Sequence, residues 1–244
     1  MLRAMAAEST NRRRAGLVVA IDGPASSGKS SVGAAAAREL AYRFCDTGLL
    51  YRAVTWLALR RGVPAADAAG LVALVDDVEF APDERGRLAH VLVDGVDHTA
   101  DVRAPDVDEA VSAVSAVPEL RTALLGKQRR LAEPGGIVMA GRDIGTVVLP
   151  DADLKVYLDA SAEERAARRS HERGIAADAP AGREILEQLR RRDRLDSTRA
   201  VAPLRPADDA VVLRTDGNRF EDTVALVVGE IRAAEARSGQ AARA

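Results

Sequence analysis

The sequence predicts an α/β fold, a parallel sheet with helices on both faces. Three observations carry that expectation. The apolar run Leu17–Ile21 has the pattern of a strand buried on both faces, and the short runs Ile137–Met139 and Leu154–Leu158 fit further core strands. Segments with helical spacing alternate with these runs along the chain, as parallel strands joined by crossovers require. A glycine-rich turn joins the first run to an alanine-rich helical segment, Ser31–Leu40.

The elements follow in order. Tyr42–Cys45 reads as a second short strand, and Leu49–Arg61 as a helix stopped by Gly62. Residues 63–103 differ in character. Val78–Phe80, Leu88–Val93 and Val96–Thr99 are short and partly alternating, separated by Pro82-Asp83 and by the hairpin dipeptide Asp94-Gly95. They predict a small antiparallel insert. Ala110–Ala116 and Glu119–Leu131 are helical, with Pro118 at the first turn of the second. Ala210–Leu213 is a further core strand. Ser161 with Glu164 has the pattern of a capping box. Gly174–Gly182 reads as a loop, Arg183–Asp193 as a highly charged helix, and Phe220–Arg237 as a terminal amphipathic helix.

A chain of 244 residues can bury one sizeable core, with subdomains inserted into it. Its formal net charge of −2 gives no overall basic excess to hold nucleic acid. No apolar stretch approaches the ~18 residues of a membrane span. One cysteine, Cys45, forbids an internal disulfide and fits a reducing cytoplasm. The arginines of residues 1–16 are followed by no signal-type apolar run, so this stretch is expected to be a disordered tail, with Met5 as an alternative start. Residues 238–244 are expected to form a second tail. A monomer is expected.

The chemistry begins at Gly23-Pro24-Ala25-Ser26-Ser27-Gly28-Lys29-Ser30, an ungapped match to G-x-x-x-x-G-K-[ST] with Ser31 following. Glycines let the backbone curl so that several N–H groups converge on a phosphate, and the next helix points its positive end there. Lys29 reaches the terminal phosphates and the Ser30 hydroxyl is a magnesium ligand, so ATP with Mg2+ is the expected cargo. The fold class is thus a P-loop NTPase-type sheet. A GTPase reading fails, because neither asparagine, Asn11 or Asn218, is followed by the lysine of N-K-x-D. No convincing strand-end acidic pair suggests a motor or helicase.

Two further loops follow strands: Asp46-Thr47-Gly48-Leu49-Leu50-Tyr51-Arg52 and Gly141-Arg142-Asp143-Ile144-Gly145-Thr146. In an open α/β sheet such strand-end loops meet at the ligand. Helical spacing also sets Arg192, Asp196 and Arg199 on one face, which on its own reads first as an ordinary solvated charged face.

Taken together, the stretches IDGPASSGKSS, FCDTGLLYRA, Ser112 with Pro118 and Arg121, AGRDIGTVV and RRRDRLDSTRAVAPL resemble the bacterial cytidylate kinase family, in order from Ile21 to Leu204. The resemblance implies transfer of the γ-phosphoryl group of ATP to CMP and dCMP. It implies that 63–103 is an NMP-binding insert within a core of 17–62 and 104–237, with a lid near 168–192. It implies that Arg52, Arg142 and Arg199 clamp the acceptor phosphate, beside Thr47 and Tyr51. Ser112, Arg121 and Asp143 would read cytosine, and Arg192 and Asp196 the sugar hydroxyls. Arg165, Arg168 and Arg169 would be lid arginines over ATP. Lys29, Arg142, Asp143 and Arg199 would serve the transfer itself. Ala140 stands where the family often places an acid, which removes an expected support for Arg142.

Two alternatives remain open at this level. One is a kinase preferring UMP or AMP. The other is a non-catalytic nucleotide-binding or nucleic-acid module, supported by the arginine-rich 183–199 segment and the basic tail.

Overall fold

A computed structural model describes residues 16–84, 87–176 and 178–241. Residues 1–15 of the expected 1–16 tail and residues 242–244 lie outside them. The described strands are β1 (Val18–Asp22), β2 (Arg43–Asp46), β3 (Val78–Pro82), β4 (Arg87–Val93), β5 (Val96–Asp97), β6 (Ile137–Gly141), β7 (Leu154–Asp159) and β8 (Val211–Arg214). The helices are α1 (Lys29–Glu39), α2 (Gly48–Arg61), α3 (Ala68–Ala73), α4 (Pro105–Ser115), α5 (Pro118–Ala132), α6 (Ala162–Glu172), α7 (Pro180–Thr198) and α8 (Phe220–Ala241). They form one sheet in the order β3-β4-β2-β6-β1-β7-β8, with β5 on β4.

The apolar runs form the strands they predict, and β1 lies at the centre between β6 and β7, parallel to both. Successive residues of a strand face opposite sides. Val19 and Ile21 accordingly enter a core beneath α1 and α8, with Val32, Ala36, Val227 and Ile231. Val18 and Ala20 enter the opposite core, with Cys45, Met139 and Ile144. Cys45 is fully buried there and burial pushes its thiol pKa up, so it serves as core filling. A third core joins α2 to α3, α4, α5 and the β3–β4 hairpin.

Several boundaries differ from expectation. The antiparallel strands do not form a sheet of their own: β4 pairs in parallel with β2 through Phe44–Arg87 and Cys45–Leu88. That contact covers what would otherwise be the open edge of β2. Helix α7 begins at Pro180, inside the expected loop, because proline suits a first helical turn. Helix α8 runs to Ala241, so residues 238–241 are helical and not tail. The short α3, capped by the Asp67 carboxylate on the Gly70 N–H at 2.9 Å, has no periodic signal in the sequence.

Register places the functional loops. Asp22 aligns with Gly141 and Tyr157, and Asp46 with Ala140. The carboxyl ends of β1, β2 and β6 therefore share one rim of the sheet, and the three motif loops leave from it.

Candidate active site

The first wall is the turn after β1. Gly23 has φ +154°, and a Cβ there would lie 2.3 Å from the Leu158 carbonyl oxygen. Gly28 is left-handed at φ +89° and caps α1 without a side chain, so the first-turn N–H groups stay available to an anion. Ala25, Ser26, Gly28, Lys29, Ser30 and Ser31 line a cleft of about 950 Å³. Lys29 Nζ donates to the Pro24 carbonyl at 2.9 Å. Burial, then the neighbouring Arg142, holds the Lys29 pKa well below the usual lysine range. Among the described residues Lys29 makes no ion pair, so an anionic ligand would supply the counter-charge. Gly23→Ala is expected to lower stability by roughly 2 kcal/mol, the scale of forced overpacking. A urea melt with an unchanged midpoint would contradict the tight turn.

The second wall comes from β2, β6 and the helices facing them. The Thr47 N–H and hydroxyl both donate to the Ala140 carbonyl, at 3.0 and 2.9 Å, pinning the start of α2 to the end of β6. One turn on, Arg52 Nη1 reaches the Val102 carbonyl at 3.3 Å and Nη2 pairs with Asp108. Tyr51 lies under the Arg121 guanidinium, 5.2 Å from ring centroid to Cζ. Arg121 Nη2 donates to Asp143 Oδ2 at 2.5 Å, and Arg199 Nη2 lies 3.5 Å from Asp143 Oδ1. Both members of the Arg121–Asp143 pair are buried. Arg142 Nε donates to Asp196 Oδ2 at 2.9 Å, so Asp196 supplies the orientation that Ala140 cannot.

Arg199 is not on the helical face that spacing suggests. Helix α7 ends at Thr198 and Arg199 is extended. Its inward aim comes from the segment curling back, with Arg199 Nε donating to Ala202 O at 2.5 Å and Leu204 N to Asp196 O at 2.8 Å. Arg192 does lie on the helix, and burial, then Arg142, lowers its pKa to about 10. Among the described residues, four buried polar atoms here have no hydrogen-bond partner: Ser27 Oγ, Arg121 Nε, Arg192 Nε and Arg199 Nη2. Three of them are guanidinium donors, an arrangement that calls for an anionic or polar ligand.

Other residues sit apart from this cluster. Ser112 lines the large cleft, whereas Arg121 and Asp143 line a smaller adjoining pocket with Ser115. Arg165 is buried behind the P-loop, donating to the Ala25 carbonyl at 3.0 Å and pairing with Asp193 at 2.5 Å. Arg168 and Arg169 line the cleft, Arg168 held by Glu164 and the Thr215 carbonyl, Arg169 by Asp108.

Sequence reasoning gave no role to Asp22. Its carboxylate accepts from Ile144 N at 2.8 Å and Gly145 N at 2.7 Å, tying the root of the P-loop to the turn that carries Asp143. Burial pushes its pKa up to about 6 from 3.8, against the lowering effect of those two N–H bonds. The folded chain thus holds this proton more tightly than the unfolded chain. The associated stability is fully present below about pH 3.8 and is lost as pH rises through about 6. In melts of the protein and Asp22→Asn, stability relative to the variant is expected to fall by about 3 kcal/mol between roughly pH 4 and pH 7. A constant difference would rule out that burial effect.

Polyphosphate geometry at the root of α1, faced across one cleft by a bank of guanidinium groups, is what a P-loop phosphotransferase needs to hold two anionic substrates together. The family model described as "Cytidylate kinase" matches residues 19–233, and the chain belongs to the cytidylate kinase family. It is 50% identical to a cytidylate kinase of Streptococcus gordonii over 86% of this chain and 93% of the relative. It is 47% identical to a cytidylate kinase of Rhodococcus opacus over 88% and 95% of the two chains. Among solved structures it is similar to a gluconokinase from Sinorhizobium meliloti at TM-score 0.48, with 19% identity, 94% of this chain and 99% of that one. Family membership identifies a kinase and gives no support to the reading as a non-catalytic module.

Proposed function

We propose that the chain passes the γ-phosphoryl group of ATP directly to the phosphate of CMP or dCMP, giving CDP or dCDP. The observation that carries this reading is the buried Arg121–Asp143 pair, in a pocket that adjoins the cleft lined by Lys29 and beside guanidinium nitrogens that have no hydrogen-bond partner among the described residues. Cytosine presents an amino donor and two acceptors, N3 and O2. Asp143 accepts from the amino group, and Arg121 donates to the acceptors. Uracil puts an acceptor in place of the amino group and meets the Asp143 carboxylate unfavourably. Ser112 enters this recognition from the cleft side.

The remaining roles are those the family resemblance implies. Arg52, Arg142 and Arg199 hold the acceptor phosphate, and Arg192 with Asp196 takes the sugar hydroxyls. Arg168 and Arg169 act on ATP from the lid, residues 168–192, and Arg165 acts through the Ala25 carbonyl. Residues 63–103 serve as the acceptor-side insert. No general base is needed, because a monophosphate with a second pKa near ~6 is already anionic at neutral pH. Lys29 and the arginines stabilise the charge that develops on the transferring group.

The P-loop suits a magnesium ion. Ser30 presents a hydroxyl oxygen and Asp46 a carboxylate to the same cleft, hard donors of the kind magnesium takes. Magnesium needs only one or two protein oxygens when phosphates and water complete its shell, and Ser30 is assigned as the protein ligand. Bound there, it would neutralise charge on the β- and γ-phosphates.

Both cleft walls come from one chain, in keeping with the expected monomer, and a kinase acting on free nucleotides is expected in the cytoplasm. Single-turnover quenching with ATP labelled at the γ-phosphate tests direct transfer. Label should pass to CDP with no labelled protein. A phosphorylated protein that decays at the rate CDP forms would overturn it.

A further inference from the structure

Asp108 has no place in the motifs, yet it stands at the busiest charged crossing in the cleft. It lies in the first half of α4 and lines the cleft with Arg52 and Arg169. Its Oδ1 takes Arg52 Nη2, from α2. Its Oδ2 takes Arg169 Nη2 at 3.1 Å and Arg173 Nη2 at 3.5 Å, from the end of α6 and the residue after it. One carboxylate thus joins the acceptor wall to the helix leading into the lid.

Three features separate this crossing from an ordinary surface pair. Asp108 and Arg52 side chains are only 21% and 18% exposed, so the pair is partly shielded from water. Arg52 has one other partner among the described residues, the Val102 carbonyl at 3.3 Å. The ion pairs that Arg169 and Arg173 make off their own helix both end on Asp108 among the described residues. A carboxylate offers two oxygens and one negative charge. A nucleotide phosphate offers three oxygens and up to about two charges, so it is the stronger partner for the same guanidinium.

We propose that Asp108 is a positioning residue that competes with the acceptor phosphate for Arg52 and, once displaced from it, turns both oxygens to the lid arginines Arg169 and Arg173 that one oxygen already holds. Acceptor binding is thereby coupled to the lid through one side chain. The sign follows from the geometry. Arg52 must exchange its Asp108 bond for the phosphate, which weakens acceptor binding. Oδ1, left beside an incoming anion, turns toward the guanidinium groups that Oδ2 already holds.

This inference rests on the assignment of Arg52 to the acceptor phosphate, so its test separates the two. CMP affinity is measured by calorimetry without ATP, and KM and kcat by ADP release, for Asp108→Asn, Asp108→Ser, Asp108→Glu, Arg52→Ala and Arg52→Ala with Asp108→Asn. Asn and Ser are expected to tighten CMP binding about 5-fold, the lower end of typical coupling, and to lower kcat through the loosened lid. Asp108→Glu should restore both values toward those of the unmodified protein. The double variant should bind CMP no better than Arg52→Ala alone. If Arg52→Ala weakens CMP binding while Asn and Ser leave it unchanged or weaken it, the competition is refuted and the acceptor assignment stands. If Arg52→Ala itself leaves CMP binding intact, the assignment of Arg52 fails, and the inference with it.

Discussion

Lys29→Met is expected to lower kcat by on the order of 10³-fold, the scale seen when one aimed charge or donor is removed from a transition state. Stability is expected to change little. The lysine ammonium is buried and its pKa is held down by burial, then by Arg142. The fold therefore sustains this cation at a cost, which a methionine of similar length removes. The substitution also leaves the Pro24 carbonyl without the Lys29 donor, a loss of about 1 kcal/mol in the other direction. The two effects nearly cancel. Steady-state ADP release at saturating ATP and CMP, run beside calorimetric melting, checks both halves. A large fall in melting temperature would make Lys29 a structural brace rather than a charge held ready for phosphate.

The second large effect falls on Asp143. Asp143→Ala leaves the Arg121 guanidinium buried without its counter-ion, which typically costs about 3–5 kcal/mol. Selectivity for CMP over UMP, as a ratio of kcat/KM values, should fall by on the order of 10²-fold. ATP affinity should change far less, because Asp143 belongs to the pocket with Arg121 and Tyr51 and does not line the P-loop wall. Changing Arg121 to methionine and Asp143 to leucine together should recover much of the stability, since the unpaired charge is gone, while selectivity stays low. If Asp143→Ala keeps its preference for CMP, base reading lies elsewhere.

The sheet and the phosphate loop were legible in the sequence because their signals are contiguous. Val18–Asp22 is buried along its whole length and passes straight into the glycines that shape the anion site. What could not be read is what depends on distant pairing. Asp22 closes on Ile144 and Gly145 from 122 and 123 residues away, and Asp108 meets Arg52 across 56. A lone acid in a charged sequence carries no mark of such a partner. Arg199 shows a subtler limit. Helical spacing gave the correct neighbours for the wrong reason, because the helix stops one residue earlier and the RAVAPL segment turns the side chain inward. The antiparallel strands were visible as elements, but their union with β2 is a matter of edge pairing that alternation does not encode.

The most direct test of the account is the rate of ADP release from ATP with each nucleoside monophosphate in turn. CMP and dCMP should drive turnover far above the acceptor-free rate, and UMP and AMP should do so at least 10²-fold less efficiently in kcat/KM. Equal turnover with CMP and UMP, or ADP release that no monophosphate accelerates, would contradict it.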